Sequence, residues 1–371
     1  MFTTLRRFSV HSKHPKFGLL IDIDGVILQG NVVIPKVLET FKKLTSSTGK
    51  FVLPTVFVTN SGNQLTKEKA AQLSKWLGIE VGEDHLVCSH DPFKCYKEFH
   101  EKNVLITGQG RVKEVARSIG FKKTLTIEDL VKVFPMLDAV DVSRRVNRTI
   151  PDVEFSPVEA IVMLGEPIRW ESSLQLLLDV LLTNGDPRRH DVDFTPHLPV
   201  LACNMDLQWR FTAEIPRFGH GVFLHCLENV FEKITGDELQ YRVLVGKPGV
   251  VTYKYALRLV EKQAEELGIG IENLYMIGDN VNTDILGGNL FNRHLKEKVT
   301  FDSCIDVESS VRNCYSVLVK TGVSSEDLDN CQRNHVHREF LGCDKNLWKP
   351  TYAVQDFSDA INLIFRVENF C

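Results

Sequence analysis

The feature that most constrains the fold is a set of short apolar runs, each of which stops abruptly at polar or glycine residues. Such runs predict strands of a parallel sheet that is buried on both faces, because those strands are apolar along their whole length. Segments with helical periodicity, 67–77 and 251–267, separate them. We therefore predict an α/β fold with a doubly wound, Rossmann-like parallel core sheet. The runs are Phe17–Ile21, 56–58, Val243–Val245, 274–277 and 317–319.

The middle of the chain has its own alternation of strands and helices, which predicts an inserted α/β cap domain at 89–217. Asp22 and Thr59 precede this insertion, whereas Lys247 and Asp279 follow it. The core domain is therefore discontinuous, and we assign it residues 17–88 and 218–371. The polar stretches 291–316 and 324–350 lack clear periodicity and are expected to be surface excursions. Cap strands are predicted at 104–107, 160–164 and 200–202, and cap helices at 111–119 and 171–182.

Composition excludes several classes of protein. The 371 residues are 43% hydrophobic and 25% charged, as expected for globular domains. No apolar run approaches the roughly 18 residues of a membrane span. The net charge is −4 and the basic residues are scattered, so no nucleic-acid partner is expected.

The nine cysteines include no C-x-x-C pair, which argues against a disulfide framework and against a zinc ribbon. One group of metal-ligating residues leaves an alternative open. Cys331, His335, His337 and Cys343 fall within a short segment, but their spacing matches no standard zinc finger.

Residues 1–16 contain four basic residues, several hydroxyl residues and no acid. This composition is typical of a mitochondrial presequence, although a disordered basic tail would look similar. We therefore predict a mitochondrial protein, with the matrix as its compartment.

Acidic residues follow two of the predicted strands. Asp22 and Asp24 follow the first strand, and Asp279 and Asp284 follow the strand at 274–277. Carboxyl ends of parallel strands meet at one edge of a sheet, where ligands of such folds bind. A Mg²⁺ ion there would remove the repulsion between these carboxylates. We predict all four as metal-site residues, with Asp22 and Asp279 as direct ligands and Asp284 as an indirect one.

A carboxylate in this position is also able to attack phosphorus. We assign Asp22 as the nucleophile of an aspartyl-phosphate mechanism. Asp24 lies two residues further along, on the same side of an extended chain, and is the candidate acid and base. Lys247 is the candidate cation for the phosphoryl oxygens. Thr59, Asn60, Ser61 and Gly62 are candidates for binding the phosphate.

For each of these motifs alone, a turn, a helix cap or a solvated surface residue is an alternative interpretation without a catalytic role. Their order along the chain resembles the four motifs of haloacid dehalogenase superfamily hydrolases of type IIA. In this resemblance Asp22 and Asp24 form the first motif, Thr59 the second, Lys247 the third, and Asp279 with Asp284 the fourth. It implies a Mg²⁺-dependent phosphatase with a large cap between the second and third motifs, and it makes a homodimer through the cap plausible.

The cap is expected to choose the substrate. Asn204 and Asp206 occupy the place of the family's Asn-x-Asp cap loop, and Trp209 and Arg217 lie close by in sequence. For Trp209 and His220, packing in the fold is the alternative to a role at the substrate. For Arg217 the alternative is a surface ion pair.

The leading hypothesis is hydrolysis of a small phosphorylated metabolite. One alternative is a weakly active or inactive protein that binds phosphate esters as a mitochondrial scaffold. Another is carbon–halogen hydrolysis, which needs no metal and would not explain Asp24 and Asp279.

Overall fold

The structure is a computed structural model that describes residues 15–139, 154–189, 195–209, 211–213, 215–297, 305, 307–323, 337–340 and 342–370. The predicted presequence therefore lies almost entirely outside the described residues. The strands are β1 Phe17–Ile21, β2 Leu28–Gln29, β3 Val32–Val33, β4 Thr55–Val58, β5 Leu86–Val87, β6 Asn103–Thr107, β7 Lys123–Thr126, β8 Ala160–Met163, β9 Val200–Cys203, β10 Gln208–Trp209, β11 Arg217–Phe218, β12 Val243–Val245, β13 Asn273–Gly278, β14 Asn313–Val319 and β15 Tyr352–Val354.

The α-helices of the described residues alternate with these strands, and shorter helical turns connect them. Among the described residues, no helix has both the length and the apolar character needed to cross a membrane. The helices are α1 Val37–Leu44, α2 Thr66–Leu77, α3 Val112–Ser118, α4 Ile127–Val133, α5 Trp170–Leu182, α6 His220–Thr235, α7 Val250–Leu267, α8 Leu286–Glu297 and α9 Phe357–Val367.

The first sheet is six-stranded in the order β15-β14-β13-β1-β4-β5, and every pair is parallel. β1 is central and completely buried, as its apolar sequence predicts. Ile21 pairs with Ile277 of β13 on one side and with Phe57 of β4 on the other. The residues that follow these three strands therefore meet at one edge of the sheet. The predicted parallel core sheet is confirmed.

The second sheet is five-stranded in the order β12-β9-β8-β6-β7, and it is also parallel. It corrects the predicted domain boundary at 217/218. β12 pairs with β9 of the cap, and Phe223 and Phe231 of α6 pack in the cap core. The cap layer therefore extends through Val245. The sequence could not show this, because a buried parallel strand has the same apolar pattern in either sheet.

The predicted excursion at 291–316 is partly wrong. α8 continues to Glu297, and β14 begins at Asn313. The helical signal is weak because α8 opens with Leu-Gly-Gly, although Gly287 and Gly288 are both buried. At the start of β14, polar residues are paired inside the fold, since Ser316 Oγ donates to Asn289 Oδ1 at 2.8 Å.

The predicted excursion at 324–350 is described only from residue 337 onward. Lys345–Trp348 forms a short helical turn there, and the buried Trp348 packs against Val281 and Leu286. Trp348 Nε1 also donates to Asn282 Oδ1 at 3.0 Å. This part of the segment therefore packs against the turn that carries Asp284.

Candidate active site

A cleft of about 260 Å³ lies where the carboxyl ends of the two sheets face each other. The loops that follow strands of both sheets line it, as expected for parallel α/β structures. Seven such loops contribute, namely those after β1 (Asp22, Asp24), β4 (Thr59, Asn60, Ser61, Gly62), β8 (Glu166), β9 (Asn204, Asp206), β12 (Lys247), β13 (Asp279) and β14 (Val323).

Three of the predicted metal-site acids form a buried cluster. Asp22, Asp279 and Asp284 each offer an oxygen, and these oxygens lie within 4.8 Å of one another. Asp284 sits in the helical turn Val281–Ile285 that follows β13. The cluster does not include Asp24, whose side chain is half-buried, so the predicted metal role of the Asp24 carboxylate is not supported by its position.

Lys247 is the cation of this cluster. Its Nζ lies 2.5 Å from Asp22 Oδ1 and 2.7 Å from Asp284 Oδ1. Burial opposes the charge on Lys247, but the carboxylates of Asp22, Asp284 and Asp206 raise its pKa overall. The structure therefore brings Lys247 to the acids, as predicted, but from a loop of the cap sheet and not from the core to which the sequence assigned it.

The cluster has more negative charge than Lys247 neutralises. Burial raises the pKa of Asp279 well above its ordinary value, and the neighbouring Asp22 and Asp284 raise it further. Burial likewise raises the pKa of Asp284 to about 6, against the opposing effect of Lys247. Three buried carboxylates and one ammonium leave a deficit of positive charge. Oxygen ligands in this arrangement fit a hard divalent cation such as Mg²⁺.

Two glycines allow the backbone to close around Asp279. Gly25 has a φ of +89°, and a Cβ there would lie 2.4 Å from Asp279 Oδ2. A Cβ on Gly322 would lie 1.8 Å from the same oxygen. Val323 N donates to this oxygen at 2.6 Å. The loops after β1 and β14 therefore fix the Asp279 carboxylate.

Asn60 links the two sheets. Its Oδ1 accepts from Lys247 N at 2.7 Å, and its Nδ2 donates to Lys247 O at 3.1 Å and to Asp206 Oδ1 at 3.0 Å. The amide, which was predicted to bind phosphate, is thus occupied by protein contacts and positions Lys247 and Asp206. In the same loop, Ser61 N donates to Thr59 Oγ1 at 3.0 Å, and Gly62 lies against Ser89 and His90.

The predicted cap loop is only partly in the cleft. Asn204 and Asp206 line it, and Asp206 N donates to Asn204 Oδ1 at 3.1 Å. Burial raises the pKa of Asp206 to about 7. Trp209 also lines the cleft. Arg217 does not: it is exposed on β11, and its Nε donates to Pro216 O. The prediction for Arg217 is corrected, because the β10–β11 hairpin turns its side chain to solvent.

Two other histidines have packing roles. His220 is fully buried, its ring bonds to Cys203 O at 2.6 Å, and burial lowers its pKa to about 4. His337 lies 2.7 Å from Glu228 Oε1. This contact occupies one ring nitrogen of His337, a candidate ligand in the zinc alternative, whereas Cys331 and His335 lie outside the described residues.

Sequence reasoning missed several cleft residues because they lie outside the motifs. Glu166 follows a cap strand, and burial raises its pKa. Lys69, Gln72 and Trp76 lie on α2 and form part of the cleft wall. For Lys69 a signal existed, since it falls on the helical stripe of buried residues that also includes Ala70 and Leu73.

Two family models match separate segments of the chain, before and after the middle of the cap. A model described as haloacid dehalogenase-like hydrolase matches residues 19–122, and a second, HAD hydrolase-like, matches 244–294. The fold and these matches define the chain as a hydrolase. Both matched segments carry haloacid dehalogenase-like hydrolase domains.

Two curated relatives are hydrolases of yeasts. A cardiolipin synthase (CMP-forming) and mitochondrial hydrolase fusion protein of Schizosaccharomyces pombe is 29% identical over 300 residues, which cover 77% of this chain and 49% of the relative. The chain thus spans about half the length of that protein. A mitochondrial hydrolase of Saccharomyces cerevisiae is 25% identical over 386 residues, which cover 96% of this chain and 97% of the relative.

Solved structures share the fold. A p-nitrophenyl phosphatase from Archaeoglobus fulgidus has a TM-score of 0.57 and 22% identity, with 94% of this chain and 99% of that chain covered. A glycerol phosphate phosphatase from Mycobacterium tuberculosis, in complex with magnesium, has a TM-score of 0.55 and 17% identity, with 94% and 77% covered. At these identities the likeness establishes the fold.

Proposed function

We propose that the chain is a Mg²⁺-dependent phosphatase that hydrolyses a small-molecule phosphate monoester through an aspartyl-phosphate intermediate. The observation that carries this proposal is the position of Lys247 between Asp22 and Asp284, beside Asp279, at the base of the cleft. The phosphatases that share the fold support the same chemistry.

Asp22 is the nucleophile of the proposed reaction. One oxygen of its carboxylate forms a bond to phosphorus while the bond between phosphorus and the ester oxygen breaks. Asp24 gives its proton to the departing alkoxide. Asp24 then takes a proton from water, whose oxygen attacks the phosphorus of the acyl phosphate. This second step releases inorganic phosphate and restores the Asp22 carboxylate.

The remaining groups hold the charge of the phosphoryl oxygens. Lys247 provides a fixed ammonium, and Thr59, Ser61 and Gly62 border the same cleft. Asn60 keeps Lys247 in place through its two hydrogen bonds to that residue's backbone. When bound to Asp22, Asp279 and Asp284, Mg²⁺ would supply positive charge for the phosphoryl oxygens. Fixed charges and donors of this kind contribute most of the catalysis in phosphoryl transfer.

The cleft and its cap favour a small phosphorylated metabolite. A volume of about 260 Å³ between two sheets leaves little room for a folded protein substrate. We propose mitochondrial localisation, in the matrix, from the basic composition of residues 1–16 and from the relatives that are named mitochondrial hydrolases. A homodimer through the cap remains a proposal from the resemblance to type IIA enzymes.

The direct test is hydrolysis of p-nitrophenyl phosphate by the purified chain with Mg²⁺. We expect turnover that EDTA stops and excess Mg²⁺ restores. Asp22→Asn should lower kcat at least about 10³-fold, because it removes the nucleophile. An unchanged thermal unfolding temperature would show that this variant is folded. Wild-type turnover in Asp22→Asn would overturn the assignment, and indifference to EDTA would overturn the metal requirement.

A further inference from the structure

Two lysines line the cleft, and they differ in their partners. Lys247 is 3% exposed and contacts two carboxylates. Lys69 on α2 is 8% exposed, yet among the described residues it has no hydrogen-bond or ion-pair partner. In the described part of the chain, Lys69 Nζ is not one of the fully buried atoms that lack a partner, so its ammonium reaches the cleft. Its charge is therefore available to an anion that enters the cleft.

Asp91, an acid that contacts the start of α2, has other partners than Lys69. Asp91, which accepts from Thr66 Oγ1 at the start of α2, lies 2.7 Å from Lys94 Nζ. It also accepts from Cys88 N at 2.7 Å. Asp91 is thus neutralised by Lys94, and it leaves the charge of Lys69 uncompensated.

Lys69 lies on a different part of the cleft from the acid cluster. The acids and Lys247 are on loops at strand ends, whereas Lys69 is on the second turn of α2. Gln72 and Trp76 follow it at spacings of three and seven residues, which places them on the same face of the helix, and both line the cleft. This helix face therefore forms part of the wall of the cleft that also holds Asp22, Asp279 and Lys247.

We propose that Lys69 binds a second anionic group of the substrate, a carboxylate or a second phosphate on the leaving-group side. The Gln72 amide and the Trp76 ring complete this subsite with a hydrogen-bonding group and an apolar surface. The inference rests on the proposed phosphatase function and narrows its substrate class to phosphate monoesters with an anionic leaving group.

The test compares two esters of similar size, 3-phosphoglycerate and glycerol 3-phosphate, which differ by a carboxylate in place of a hydroxymethyl group. The wild type should prefer 3-phosphoglycerate in kcat/KM. Lys69→Met should lower kcat/KM for 3-phosphoglycerate roughly 10- to 100-fold, the range expected for a charged hydrogen bond. It should change kcat/KM for glycerol 3-phosphate and p-nitrophenyl phosphate less than about threefold. The matched control is Lys67→Met, which removes an exposed lysine two residues away on α2.

Several outcomes would overturn the inference while leaving the phosphatase function intact. One is an equal wild-type kcat/KM for the two esters. The other is an equal loss of kcat/KM on all three substrates in Lys69→Met, because that result would place Lys69 at the phosphoryl group. Failure of the phosphatase function would look different, as an absence of any hydrolysis. In that case, calorimetric binding of the two esters to wild type and to Lys69→Met still tests Lys69: a preference for 3-phosphoglycerate that Lys69→Met removes supports the subsite, and equal affinities reject it.

Discussion

The two parallel sheets point their carboxyl ends into the same cleft but carry different residues there. After β1 and β13, the core sheet presents Asp22, Asp279 and Asp284, all buried. After β9 and β12, the cap sheet presents Asp206 and Lys247. The strands themselves are alike, short and apolar. The difference shows that the clustered acids belong to one sheet while the cation that contacts two of them belongs to the other.

This division makes the site dependent on how the two sheets dock. Asn60 of the core bonds both to Lys247 and to Asp206 of the cap, so it fixes the two edges relative to each other. The clustered acids of the core edge include no cation of their own, and two of them pair with Lys247 of the cap edge.

The largest effect is expected from removal of Lys247. Lys247→Met leaves Asp22 and Asp284 without their ammonium, so we expect unfolding to become easier by about 3 kcal/mol. Activity on p-nitrophenyl phosphate should fall roughly 10³-fold. Chemical denaturation and steady-state kinetics measure the two effects. Lys262→Met removes an exposed lysine of α7 and is the control. A stable, active Lys247→Met would show that the core edge functions without the cap.

A smaller effect is expected from Asp24, which belongs to the core edge but lies outside the acid cluster. Asp24→Asn should lower steady-state turnover roughly 10²-fold, because the second step loses its base. Departure of p-nitrophenolate needs little help from an acid, so this variant should release one equivalent of p-nitrophenol in a rapid burst. Stopped-flow absorbance measures the burst. A variant that merely needs more Mg²⁺ and then regains full turnover would contradict the acid–base role.

The core edge was predictable from sequence to a greater degree than the cap edge. The strands that end before Asp22, Thr59 and Asp279 have a short-range signal, which is an apolar run followed at once by a polar residue. The structure confirms these strands as β1, β4 and β13. The sheet to which β12 belongs has no such signal, because its partner β9 lies about forty residues earlier and parallel pairing leaves no local pattern.

The cap-side errors have similar causes. Arg217 lies near Asp206 in sequence, but the β10–β11 hairpin turns it to solvent, and this depends on pairing between Trp209 and Arg217. Lys69 was missed because a lysine within a helical pattern is usually solvated. Its place on the helical stripe that includes Ala70 and Leu73 was the signal that it is buried.

The smallest effect on activity is expected at Asp206, the acid of the cap edge. Burial raises its folded-state pKa to about 7, whereas the unfolded chain has the ordinary value near 3.8. Between these values the unfolded state has already released its proton while the folded state retains it, so wild-type stability declines as pH rises from about 4 to 7. Asp206→Asn keeps an oxygen that accepts from Asn60 and removes the titration.

We therefore expect Asp206→Asn to be stabilised relative to wild type at pH 7.5 by roughly 3 kcal/mol more than at pH 4.5, since each unit of pKa shift contributes about 1.4 kcal/mol. Denaturant unfolding at the two pH values measures this difference. Activity on p-nitrophenyl phosphate should change less than in Asp24→Asn, because Asp206 contacts Asn60 rather than the acid cluster. If the stability difference were the same at both pH values, Asp206 would be ionised in the folded protein at both of them.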